Sequence, residues 1–212
     1  MSWRKPRLGA QDLQVMEETT LFRGFYHMVK YRLRHRLFAG GWSEPIDREL
    51  FKRGSSVAVL AFDPCRQRVA LVEQFRVGAL QEPSGPWLLE VVAGMVDKAE
   101  SPEQVARREL LEEAGIDCGE LQPIMEYLSS PGGSSEKLHL FLAFSDLDDK
   151  VGGIHGLDVE GEDILVHILS VDEAFEALQA GRCKDAATTI CLQWLQLNLS
   201  GLVEKSPTMA TG

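Results

Sequence analysis

Cysteine is scarce in this chain. Of 212 residues only four are cysteine, and Cys65, Cys118, Cys183 and Cys191 stand far apart, with no CxxC pair and no Cys/His zinc spacing. They read as reduced thiols of a cytoplasmic protein rather than a disulfide framework. Long apolar runs are also missing. The longest, Val57-Ala58-Val59-Leu60-Ala61-Phe62, is strand-length and far short of the roughly 20 residues a spanning helix needs, so no membrane association is expected. The basic start, Met1-Ser2-Trp3-Arg4-Lys5-Pro6, is followed by no apolar signal core. There is no P-loop, no GxSxG and no GxGxxG after a strand pattern. Positive charge falls short too, with Lys+Arg 22 against Asp+Glu 32 and a net charge of −10. That balance argues against a sequence-independent nucleic-acid binder, since phosphate backbones are held by basic surface. A phosphate-bearing substrate would need local arginines, or metal ions, inside a generally repulsive field.

What is present fits an ordinary globular chain, 44% hydrophobic and 25% charged. Residues 13–53 read as extended, with β-rich runs at 15–23 and 25–38 and no obvious strand partner of their own. The second run alternates Tyr31, Leu33, His35 and Leu37 with Arg32, Arg34 and Arg36, a period of two that predicts a strand with one basic face. That face reads as a solvated strand face. Residues 57–62 and 69–75 flank Asp63-Pro64 as a β-hairpin, and 87–92 reads as one buried strand. Further strands are expected at 121–129, 138–144 and 164–169, and helices at 172–180 and 185–199. The division expected is an N-terminal β segment over 1–52, a main α/β domain over 53–200 with a mixed sheet, and a frayed tail over 201–212.

One helix is announced at both ends. Ser101-Pro102-Glu103-Gln104 supplies an N-cap hydroxyl, a proline at the first helical position and a capping-box Gln, and Gly115 suits a left-handed stop after Ala114. Along it, Glu109, Glu112 and Glu113 are spaced i+3 and i+4, so three carboxylates share a face. Two of them lie in the last turn, where the helix dipole disfavours negative charge. An i+4 pair between Arg108 and Glu112 offsets only about 0.3–0.5 kcal/mol. Such a cluster is either a solvated acidic face or a seat for hard cations such as Mg²⁺ or Mn²⁺.

The wider spacing separates the two. Gly94-x5-Glu100-x7-Arg108-Glu109-Leu110-x-Glu112-Glu113-x-Gly115-Ile116 matches all nine specified positions, across 23 residues, of the Nudix box, GX5EX7REUXEEXGU with U aliphatic. The chain therefore resembles the Nudix hydrolases. Pro131, sixteen residues after Gly115, and the stretches Arg23-Gly24-Phe25, Trp87 to Gly94 and Gly153-Ile154-His155-Gly156-Leu157 look like the bacterial ADP-ribose pyrophosphatase branch. The resemblance implies an α/β/α sandwich around a mixed sheet, preceded by an N-terminal antiparallel β segment. It implies hydrolysis of ADP-ribose to AMP and ribose 5-phosphate with two to three Mg²⁺ ions, Mn²⁺ being a possible substitute. It also implies a cytoplasmic homodimer with the N-terminal segment exchanged between subunits, and no nucleic-acid or membrane partner.

By the same resemblance Glu109, Glu113, Glu162 and the Ala93 carbonyl hold metal, Glu112 assists, and Glu160 is the general base, on the glycine-rich loop 152–163 read as a mobile lid. His155 is a rival base, since its unperturbed pKa lies near neutrality. Adenine recognition is expected from Phe25, Tyr26, Arg48, Glu49, Arg53 and Arg76. Met95, Ser130, Pro131 and Gly132 are expected beside the diphosphate, and Glu136 near the terminal ribose. Another nucleoside diphosphate sugar such as GDP-mannose is the alternative substrate. A nucleotide-binding module that does not cleave is a further alternative, disfavoured because every box glutamate is kept.

Overall fold

The computed structural model describes residues 6–96, 99–148, 150–157, 159 and 161–204. The chain forms two compact units. One runs to Gly54 and takes in Leu128–Glu136, and the other holds Ser55–Tyr127 and continues from Lys137.

In the first unit β1 (Leu13–Arg23), β2 (His27–His35) and β3 (Ile46–Lys52) make an antiparallel sheet in the order β1-β2-β3. These strands are thus one another's partners, which corrects the expectation that the segment lacks its own. The pairing of β1 with β2 shifts register between Val15 and Glu17 and between Thr20 and Phe22, and such irregularities strengthen local twist. The basic face of β2 is engaged. The guanidiniums of Arg34 and Arg36 lie 5.1 and 4.5 Å from the Trp42 ring centroid, and Arg32 pairs with Asp47 at 3.5 Å. Along β1, Leu13, Val15, Met16, Leu21 and Phe22 remain exposed.

The second unit is built on β4 (Ser55–Asp63), with β5 (Arg68–Phe75), β6 (Trp87–Glu90), β7 (Val92–Met95), α1 (Pro102–Ala114), β8 (Leu121–Leu128), β9 (Lys137–Phe144), β10 (Gly153–His155), β11 (Ile164–Ser170), α2 (Val171–Gln179) and α3 (Ala186–Glu204). The main sheet order is β10-β11-β5-β4-β9-β8, with β6 on β5 and β7 on β4. It is mixed, since β4 runs parallel to β9 and antiparallel to β5. The unbroken apolar run of β4 follows from burial of both its faces. Val57, Val59 and Ala61 join a core with Val105, Ala106 and Leu110 of α1. Ala58, Leu60 and Phe62 join another with Val171 and Ala174 of α2 and Cys191, Leu192 and Leu195 of α3. Helices on both faces of the sheet make the α/β/α sandwich.

The hairpin between β4 and β5 is closed by Asp63, whose carboxylate accepts N–H bonds from Cys65 (2.9 Å), Arg66 (3.0 Å) and Leu147 (3.1 Å) and a guanidinium bond from Arg66 (2.8 Å). Burial pushes this carboxyl up, but the bonds from Arg66, Leu147 and Cys65 outweigh it and hold the group below its usual range.

Three expectations are corrected. Residues 87–92 do not form one strand, because pairing changes at Val91 from β5 to β4. The last helix does not end at 199 but runs to Glu204, where Leu202 is buried in the core shared with α2. Residues 153–155 of the glycine-rich loop are a strand paired with β11 through Val166, Leu165 and Ile164, so the mobile segment expected over 152–163 is partly sheet edge.

Candidate active site

Helix α1 begins and ends as its punctuation requires. The Ser101 hydroxyl accepts the Gln104 N–H at 3.3 Å, and the Gln104 side chain accepts the Ser101 N–H at 2.8 Å. Gly115 takes φ 64°, and its N–H reaches the Leu111 carbonyl at 3.0 Å. Between these ends Val105, Ala106, Leu110 and Ala114 face the core, and Glu109 and Glu113 are turned toward β7. A Cβ at Gly94 would overlap the Glu109 carboxyl, so glycine there leaves space for the acid.

Arg108 compensates the acidic cluster more fully than a single i+4 pair. Its guanidinium lies 3.2 Å from Glu100, 2.9 Å from Glu109 and 2.8 Å from Glu112, and bonds to Glu100 and Glu112 hold its own pKa up against burial. Glu113 lies deeper. It is buried, and its Oε2 accepts the Ala93 N–H at 3.2 Å. Burial pushes its carboxyl up to about 8, with the Ala93 bond opposing and the charges of Glu109 and Glu162 adding. Glu109 is raised as well, by burial first, against the pull of Arg108 and with the push of Glu112. Glu162 accepts the Leu157 N–H at 3.1 Å and lies near enough to raise both carboxyls. Ala93, Glu109, Glu112, Glu113 and Glu162 are therefore brought together. Among the described residues no closed cage of three carboxylate, imidazole or thiol groups is formed. The carboxylates instead lean on Arg108 and the Ala93 N–H. Carboxyls raised by burial first and by one another second, with oxygen donors, suit a hard divalent cation.

Glu160 lies outside the described residues. His155 sits at the helix end, its ring filling the space beside Gly115, with Nε2 3.2 Å from the Gly152 carbonyl. A carbonyl only accepts, so Nε2 carries the proton in that bond.

Arg76 and Met95 fall in the same unit. Arg76 directs Nε and Nη2 at one oxygen of buried Glu90, both at 2.8 Å. Met95 ends β7, partly exposed.

The remaining residues named from the sequence lie in the first unit. Phe25 is 85% exposed and meets Tyr26 edge-on at 4.8 Å, and Tyr26 meets Phe51 at 4.8 Å. The Arg53 guanidinium stands 5.5 Å from the Tyr26 ring and pairs with Glu136 at 3.1 Å. The turn holding Ser130, Pro131 and Gly132 closes through the Gly133 and Ser134 N–H groups onto the Ser130 carbonyl. It is tied to β3, where the Phe51 N–H donates to the Gly133 carbonyl at 2.8 Å. Phe25, Tyr26, Arg53, Glu136 and this turn thus form one cluster. Arg48 and Glu49 lie earlier on β3, paired across to Tyr31 and Lys30, and Arg48 donates to the Asp47 carbonyl. Neither bonds to the cluster among the described residues.

A NUDIX domain model matches residues 52–189. The chain belongs to the Nudix family. It is 44% identical over 194 residues to an ADP-ribose pyrophosphatase of Escherichia coli (strain K12), covering 92% of each chain. Over 208 residues it is 43% identical to an ADP-ribose pyrophosphatase of Haemophilus influenzae, covering 94% of this chain and 95% of that one. A GDP-mannose pyrophosphatase of Escherichia coli O1:K1 / APEC is 34% identical over 152 residues, 71% of this chain and 78% of that one. In structure, an ADP compounds hydrolase superposes with a TM-score of 0.70 over 92% of this chain and 98% of the other, at 18% identity, which is a likeness of fold.

Two residues that hold these groups in place were not singled out from the sequence. Glu90 was one, although a carboxylate inside the apolar run Trp87 to Val92 was a signal that it must be paired. Phe51 was another, and an aromatic between Leu50 and Lys52 carried no such signal.

Proposed function

We propose that this Nudix protein hydrolyses ADP-ribose to AMP and ribose 5-phosphate, using Mg²⁺, with two to three ions held and Mn²⁺ able to replace it. The observation that carries the reading is the placement of Glu113 and Glu109 at the Ala93–Gly94 strand end with Glu112 and Glu162 near them, in a chain 44% identical to ADP-ribose pyrophosphatases. Glu109, Glu113, Glu162 and the Ala93 carbonyl hold the metal, and Glu112 assists. When bound, the metal neutralises the diphosphate and stabilises charge growing on the leaving phosphate. Glu160 takes a proton from the attacking water, whose oxygen bonds to one phosphorus as the bridging P–O bond breaks. Phe25 stacks on adenine beside Tyr26, and Arg53, Arg48, Glu49 and Arg76 meet its polar edges or the phosphates. Met95, Ser130, Pro131 and Gly132 border the diphosphate, and Glu136 faces the terminal ribose.

The working form is a cytoplasmic homodimer whose N-terminal β segments are exchanged. The segment's exposed Leu13, Val15, Met16, Leu21 and Phe22 support that reading. Purified protein with Mg²⁺ and ADP-ribose should release AMP and ribose 5-phosphate, identified by mass. A chelator should stop the reaction. ADP with free ribose, or no cleavage, overturns the proposal. Faster cleavage of GDP-mannose would move the assignment to the second substrate.

A further inference from the structure

The strand that carries Ala93 changes partner part-way. Glu90 is paired with Val72 of β5, whereas Val92, Ala93 and Gly94 are paired with Val59, Ala58 and Val57 of β4. The change falls at Val91, which is buried and whose N–H leaves the ladder. A buried N–H needs an acceptor. It finds one far away in sequence, because the Thr188 Oγ1 on α3 accepts it at 2.8 Å. Thr188 is fully buried and is itself fixed, its N–H donating to the Asp185 carboxylate just before the helix at 2.8 Å. Two residues beyond Val91, the Ala93 N–H holds Glu113. One side chain on α3 therefore pins the point at which this strand leaves β5 for β4.

We propose that Thr188 is a positioning residue for the metal site, acting through the Val91 N–H on the peptide that presents the Ala93 carbonyl and anchors Glu113. The inference rests on the metal-holding reading given above. Without the hydroxyl the strand can slide or twist at its change of partner, and Ala93 and Gly94 no longer meet Glu113 and Glu109 in register. Outer groups of this kind act by orienting the inner ones, and their loss typically lowers metal affinity about 10–100-fold.

Thr188→Val keeps shape but removes the acceptor, and Thr188→Ser keeps the acceptor. Leu192→Ala, one turn along α3 in the same buried cluster as Val91, loosens the helix but leaves both partners of the Val91–Thr188 hydrogen bond in place. Mn²⁺ binding without substrate, followed by electron paramagnetic resonance, should weaken about tenfold or more in Thr188→Val and stay near wild type in Thr188→Ser. Amide exchange from Val91 to Ala93 should quicken only in Thr188→Val. Leu192→Ala should melt lower yet keep wild-type Mn²⁺ affinity. Equal Mn²⁺ affinity in Thr188→Val and wild type overturns the inference alone, as does an equal loss in Leu192→Ala. If the wild type binds no Mn²⁺, the metal-holding reading falls and this inference with it.

Discussion

Glu113 occupies a position that a helix built for stability would not give to an acid. It lies in the last turn of α1, at the negative end of the dipole, and burial lifts its carboxyl to about 8. In the absence of metal the folded protein therefore keeps a proton that the unfolded chain has released above the ordinary glutamate value. Stability from this group is full below that value and is lost as pH climbs through it to about 8. Glu113→Gln should melt higher than wild type in chelator at pH 8, by about 1–3 kcal/mol, and should gain less from added Mg²⁺. Melting curves at pH 5 and pH 8, with chelator and with Mg²⁺, measure both effects. A mutant less stable than wild type in chelator at pH 8 would show that the Ala93 bond outweighs burial. The proposed base gives a separate expectation. Glu160→Gln should lower kcat by about 10²–10⁴ with little change in substrate affinity. If His155→Ala cripples the enzyme instead, the base is misassigned.

Among the elements, the β4–β5 hairpin depends on one buried acid. Asp63 collects three backbone N–H groups and the Arg66 guanidinium, and one of those donors, Leu147, lies three residues past the end of β9. Asp63→Ala leaves buried donors unmatched and should cost about 2–4 kcal/mol, read from chemical denaturation. Asp63 is held below its usual range, so its stabilisation persists above the ordinary aspartate value and disappears as pH falls through the lower, folded one. Loss of stability in the alanine variant should thus shrink in acid. A variant as stable as wild type at pH 7 would mean that solvent or a neighbouring side chain takes over these donors.

Charge is unevenly divided over the whole molecule. Eleven Lys/Arg and six Asp/Glu precede residue 55, a net of +5, so the remainder carries −15 of the total −10. In the proposed dimer a basic segment of one chain would attract the acidic body of the other, and β1 adds exposed apolar side chains. Sedimentation at micromolar concentration should show a dimer, weakened by salt. Val15→Glu with Phe22→Glu should give a folded monomer of low activity. A monomeric wild type with full activity would remove the shared-site reading.

The bounds of α1, the acidic triad and the glycine stop were legible in the chain because their causes are local. A cap hydroxyl, a capping-box side chain and a left-handed glycine act within four residues of one another. The two-faced burial of β4 was legible as well, since an apolar run without alternation needs cover on both sides. Other features were decided only by the tertiary structure. The break at Val91, the grip of Glu90 on Arg76, the extension of α3 past residue 199 and the joining of the Ser130–Gly132 turn to β3 all rest on partners distant in sequence. Periodicity says that a strand exists, but which neighbour takes each of its N–H groups is settled only when the sheet, α3 and the turns are folded together.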